Sequence, residues 1–98
     1  MRNRLVRLRE HRQVYFAVME HGSFLKIGVS SCPERRVREL APKRCGMKLL
    51  GTIPCAGPTY KGEKLAHNLF REFWCHGEWY MWTKEVQEKV SQLHLNED

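Results

Sequence analysis

The chain has 98 residues, of which 42% are hydrophobic and 10% aromatic, with a formal charge of +6. That is enough for one domain with a modest core and too little for two, and the basic balance points to a polyanionic partner. No apolar run reaches membrane-spanning length and no signal-peptide core is present, so a soluble, cytoplasmic chain is expected.

The opening residues 1–12 carry Arg2, Arg4, Arg7, Arg9 and Arg12 against Glu10 alone. They read either as a basic arm or helix that touches phosphates or as a solvated terminal helix. The rest, 13–98, reads as one domain. Gln13 to Met19 is rich in β-formers, Glu20 to Ser23 offers a four-residue hairpin loop with Gly22 in it, and Phe24 to Val29 returns as a second strand. A helix follows: Ser31 stands three residues before Glu34, the spacing of a capping box, Pro33 lies in the first turn, and Pro42 ends it. Met47 to Pro54 is a third strand. A second helix is expected from about Tyr60 to Cys75, with Gly77 as its C′ residue. Trp79 to Trp82 makes a short strand or turn, and Lys84 to Leu93 a last helix with Thr83 as N-cap. The order ββαβα(β)α gives an α+β fold: a small antiparallel sheet of three or four strands flanked by helices.

If Met19 and Phe24 close the hairpin, Ala17 faces Lys26 and Tyr15 faces Gly28. Tyr15, Lys26 and Gly28 then share one face of the sheet, and Val14, Phe16, Leu25, Ile27 and Val29 share the other. A slip of one residue would part Tyr15 from Lys26. On the first helix Pro33, Val37 and Leu40 form the inner stripe. Arg36 lies about 60° from its middle, Arg38 about 140° and Arg35 about 160°, so Arg36 alone leans towards the core edge. On the second helix Leu65, Ala66, Leu69, Phe70 and Phe73 form a broad apolar face. Glu63 and His67 stand at its rim, in line with Phe70 and Trp74. A carboxylate and an imidazole one turn apart either share a ligand or metal or form a plain surface pair.

These residues resemble the GIY-YIG endonuclease superfamily, in its short phage-type branch whose second motif reads KIG. Gln13-Val14-Tyr15 stands for the first motif and Lys26-Ile27-Gly28 for the second. Cys32-Pro33-Glu34-Arg35-Arg36 resembles the helix that carries the family's arginine, at Arg36. Glu63-Lys64-Leu65-Ala66-His67 followed by Gly77-Glu78-Trp79-Tyr80 resembles the ending of that branch. The match runs from about Val14 to Trp82. It departs from the family pattern in having Gln13 and Val14 where a glycine and an isoleucine stand, and Lys26 where a tyrosine stands; no motif places Asn68.

The resemblance implies a metal-dependent endonuclease that hydrolyses nucleic-acid phosphodiester bonds, with DNA as the expected substrate and a phage or mobile-element setting. Glu63 would ligate Mg²⁺ or Mn²⁺. Tyr15 would act as general base or orient the attacking water, its anion favoured by Lys26, which would also hold a phosphate oxygen. Arg36 would stabilise charge on the phosphoryl oxygens, and His67 would position water or protonate the leaving group. Arg2, Arg4, Arg7, Arg9, Arg35, Arg38, Lys43 and Arg44 are the candidate contacts to nucleic acid. Further affinity is expected from a homodimer mate or a specificity-providing partner protein.

Two features are read more plainly. The four cysteines, Cys32, Cys45, Cys55 and Cys75, show no CxxC pairing and are expected as reduced thiols; Cys75 and His76 are adjacent, and the spacings fit no compact zinc knuckle. The aromatic stretch Gly77 to Trp82 reads as core rather than a base-stacking platform, with Glu78 tying the last strand to a nearby backbone or arginine. The rival to the nuclease reading is a non-catalytic nucleic-acid- or partner-binding module on the same fold. A binding module has no need for Tyr15, Lys26, Arg36 and Glu63 on converging surfaces.

Overall fold

The computed structural model of the chain describes residues 12–19, 24–40, 46–54 and 59–96. Arg2, Arg4, Arg7, Arg9, Lys43, Arg44, Cys45, Cys55 and the expected hairpin loop Glu20 to Ser23 lie outside the described residues.

Strands β1 (Gln13–Met19), β2 (Phe24–Ser30), β3 (Met47–Pro54), β4 (Trp74–His76) and β5 (Trp79–Met81) form one antiparallel sheet in the order β3-β1-β2-β5-β4. Helices α1 (Pro33–Leu40), α2 (Thr59–Leu69) and α3 (Lys84–Ser91) accompany it. The fold class is the expected one, with a sheet of five strands where three or four were expected. The register of the first hairpin is as read from sequence: Tyr15 pairs with Gly28 and Ala17 with Lys26.

That register sorts the side chains into two layers. Val14, Phe16, Val18, Leu25 and Ile27 point to a core completed by Ala66 and Phe70 of α2, Phe73, Tyr80, and Val86 and Val90 of α3. Tyr15 and Ala17 point the other way, against Val37 of α1 with Leu40, Met47 and Leu49 beside it. Alternation along each strand therefore gives the sheet a large apolar layer and a smaller one that contains a phenol. Asn96 bridges Thr52 on the outer edge of β3 by two backbone hydrogen bonds of 3.0 Å, which closes part of that edge.

Several boundaries differ from expectation. The first backbone bond of α1 runs from Arg36 N–H to the Cys32 carbonyl, so Cys32 occupies the N-cap and Pro33 the first helical position. Ser31 is thus one residue outside the helix, and the Ser30 hydroxyl instead accepts the Cys32 N–H at 2.9 Å. Helix α2 ends at Leu69, not Cys75: a 3₁₀ turn at Arg71–Phe73 hands the chain to β4, so Trp74 no longer continues the helical line of Glu63 and His67. Gly77, at φ 55°, serves the tight β4–β5 turn and not a helix C′ position. Leu65 and Leu69 are 66% and 53% exposed, because the sheet covers only the Ala66 and Phe70 side of the broad apolar face. The Thr83 cap is as expected, its hydroxyl accepting the Val86 N–H at 3.2 Å.

Candidate active site

Tyr15 is buried on β1, and its phenol occupies the space above Gly28. A Cβ at Gly28 would stand 2.5 Å from the Tyr15 hydroxyl oxygen. Burial raises the Tyr15 pKa above its ordinary value of 10.0, and the negative charge of Glu78 raises it further. A hydrogen bond and the positive charge of Arg36 oppose this, and Glu63 adds a weaker upward push. Five side chains from β1, β2, α1, α2 and the β4–β5 turn therefore meet here once Lys26 is added. Arg36 leans on Tyr15 as the helical wheel anticipates, although its side chain is half exposed and also lies 3.8 Å from Glu39. Arg35 points outward and pairs with the same Glu39 at 3.4 Å, and Arg38 is exposed.

Lys26 is buried and its ammonium is committed to Glu78 at 2.8 Å. It also stands 5.3 Å from the centre of the Trp79 ring. This corrects one expectation: the ammonium neutralises Glu78 instead of favouring the Tyr15 anion, and the phenol stays protonated at neutral pH. Glu78 is placed by its own backbone, whose carbonyl accepts the Ile27 N–H at 3.1 Å, one residue from Lys26. Sequence reading gave Glu78 a merely structural tie. The structure instead makes it the hub between Lys26 and Glu63 of α2. The available signal was its position beside Trp79, across from Lys26 in the β2–β5 pairing.

Glu63 and His67 lie one turn apart on α2, with His67 Nε2 3.4 Å from Glu63 Oε1. His67 Nδ1 is hydrogen-bonded to the Tyr80 hydroxyl. Tyr80 is core, as expected of the aromatic stretch, yet its polar end reaches the site and fixes the imidazole. The Tyr80 contact leaves Nε2 as the ring nitrogen turned towards the Glu63 carboxyl.

The ligand atoms of Glu63, His67 and Glu78 all lie within 4.8 Å of one another, and all three residues are half-buried. A hydrogen bond that protonated Glu63 donates to Glu78 raises the Glu63 pKa above its ordinary 4.5, helped by burial and the Glu78 charge, while His67 pulls it down. Burial pushes Glu78 up as well, but its hydrogen bonds to Glu63 and Lys26 outweigh this and hold it below 4.5. The two carboxyls are thus coupled, and Glu63 is the one that holds a proton to the higher pH. A divalent cation would compete with that proton, and carboxylates and imidazole are both ligand types that divalent metal ions accept. The donor set thus fits a metal ion, with Glu78 and His67 joining the expected Glu63.

Residues 11–94 match the T5orf172 domain. The chain belongs to the T5orf172 domain family. This is a phage-associated, nuclease-like domain, and the match spans every element that builds the site. No curated protein and no solved structure gives a significant match to the T5orf172 domain described here. Among the described residues, no helix of this T5orf172 domain is long and apolar enough to cross a membrane.

Proposed function

We propose that this T5orf172 domain is a divalent-metal-dependent endonuclease of the GIY-YIG type, acting on DNA. The observation that carries this reading is the convergence of Tyr15, Lys26, Arg36, Glu63, His67 and Glu78 on one half-buried site. Neutral phenol, guanidinium and paired carboxylates are the parts that phosphodiester hydrolysis needs, and a module that only binds backbone phosphate does not need a half-buried acidic pair.

Glu63, Glu78 and His67 would hold Mg²⁺ or Mn²⁺, which when bound supplies Lewis-acid polarisation of a phosphate oxygen. Arg36, half exposed and next to Tyr15, binds the non-bridging oxygens through its planar fork and stabilises their growing charge. Tyr15, protonated and held over Gly28, accepts a hydrogen bond from the attacking water and orients it in line with the scissile bond. It serves as general base only when bound cationic groups bring its pKa down. Lys26 positions Glu78, and Tyr80 positions His67.

Cleavage of DNA in Mg²⁺ or Mn²⁺, abolished by EDTA, tests the reading. Salt-dependent binding with no cleavage of any nucleic acid would replace it by the binding-module reading.

A further inference from the structure

A cleft of about 480 Å³ opens directly beside the site, lined by His67, Asn68, Arg71, Trp74, Gly77 and Tyr80. It shares His67 with the candidate metal group, so whatever occupies it lies next to that group. Trp74 pairs with Tyr80 across β4 and β5, and directly opposed residues share a face, which puts the indole on the His67 side of the sheet. An indole in this position has every reason to be buried, yet Trp74 is 56% exposed. It is nevertheless held in orientation, its Nε1–H donating to the Gly77 carbonyl at 2.9 Å. A side chain at Gly77 would meet nothing within 4 Å, so the rim beside the ring is open.

A rigid, exposed aromatic ring, an exposed guanidinium and an exposed amide around a cleft make a set that recognises a nucleotide. The ring stacks on a base, the guanidinium of Arg71 takes a phosphate, and the Asn68 amide offers a donor and an acceptor to a base edge. A base inside a duplex has no free face to offer to a side chain in such a cleft. We infer that this cleft binds an unstacked nucleotide flanking the scissile phosphate, so that the enzyme acts where a strand is single or a base is extruded. The inference rests on the nuclease reading for its substrate, but binding alone reveals it.

The test measures affinity for a short fluorescein-labelled single strand in EDTA, where no cleavage intervenes. Trp74→Ala and Arg71→Ala each weaken binding about tenfold or more, and Trp74→Phe restores most of the loss, since stacking tolerates any aromatic ring. Single abasic sites moved along the strand reveal one position where removing the base weakens wild type. At that position Trp74→Ala adds no further loss. Far-ultraviolet circular dichroism and a thermal melt confirm that the variants fold.

Unchanged affinity in folded Trp74→Ala, or equal further losses at every abasic position, overturns the cleft. A chain that cuts nothing in Mg²⁺ or Mn²⁺ but shows this Trp74 dependence keeps the cleft and removes the nuclease reading. A chain that cuts duplex and single strand alike, with Trp74→Ala indistinguishable from wild type, keeps the nuclease and removes the cleft.

Discussion

The phenol of Tyr15 fills the volume that any side chain at Gly28 would claim, with only 2.5 Å between the hydroxyl oxygen and a Cβ built on Gly28. The glycine is required here by close approach, since it sits in a regular strand paired directly with Tyr15. Gly28→Ala is therefore expected to cost about 1–3 kcal/mol by overpacking and to displace the phenol from the site. In a Tyr15→Ala background the same substitution becomes nearly neutral. Denaturant melts of the four-member cycle measure this coupling, and additive losses would show that the two residues do not compete for space.

Tyr15 and Arg36 set a pH dependence. The folded phenol titrates above its ordinary 10.0, chiefly through burial, with Arg36 pulling the other way. The neutral phenol thus contributes stability that is fully present below about pH 10 and is lost as pH rises through the folded value. Arg36→Ala is expected to move tyrosinate formation at Tyr15 to still higher pH. Absorbance titration, with Tyr15→Phe subtracted, reads this; a downward shift in Arg36→Ala would contradict the contact.

The coupled carboxyls Glu63 and Glu78 set another. Glu63, raised above 4.5, favours the fold below that value and loses its contribution as pH climbs through its folded value. Glu78, lowered, contributes above 4.5 and loses it as pH falls through its own folded value. A cation competes with the proton on Glu63, so Mn²⁺ affinity is expected to rise as pH climbs through the folded value of Glu63. Calorimetry in buffers of different ionisation enthalpy should detect proton release there, and Glu63→Gln should abolish it. Binding without proton release would place the ion elsewhere.

The two neighbouring arginines of α1 differ in surroundings, Arg36 next to Tyr15 and Arg35 turned outward. Arg36→Ala is expected to lower cleavage about a hundredfold or more while leaving binding nearly intact, as loss of a charge-stabilising donor does. Arg35→Ala, which removes an outward side chain paired with Glu39, weakens cleavage only mildly, through general phosphate attraction. Cleavage rates under single-turnover conditions decide, and matching defects would mean that α1 presents both residues alike.

How much of this was legible in the sequence follows from what alternation and periodicity encode. The β1–β2 register, and with it the placing of Tyr15 beside Lys26 and over Gly28, came from the spacing of two strands long enough to alternate. Arg36 came from angular position on a helix whose inner stripe is unambiguous. Strands β4 and β5 have three residues each, too few for a period to emerge. Gly77 supports a helix end and a tight turn equally, because both need positive φ. Phe70 and Phe73, three apart, satisfy an α-helix and a 3₁₀ turn alike. Glu78 was therefore hidden: a carboxylate in a turn between two strands that carry no pattern gains its role only from the pairing that sets it against Lys26 and Glu63.

The proposed function turns on metal-dependent cleavage through Glu63, with Glu78 and His67. Cleavage of a supercoiled plasmid by wild type and by Glu63→Ala, purified in parallel and assayed with Mg²⁺, Mn²⁺ or EDTA, tests it most directly. Wild type is expected to nick the plasmid in either metal and not in EDTA, and Glu63→Ala to bind DNA without nicking it. Equal cleavage by the two proteins would contradict it.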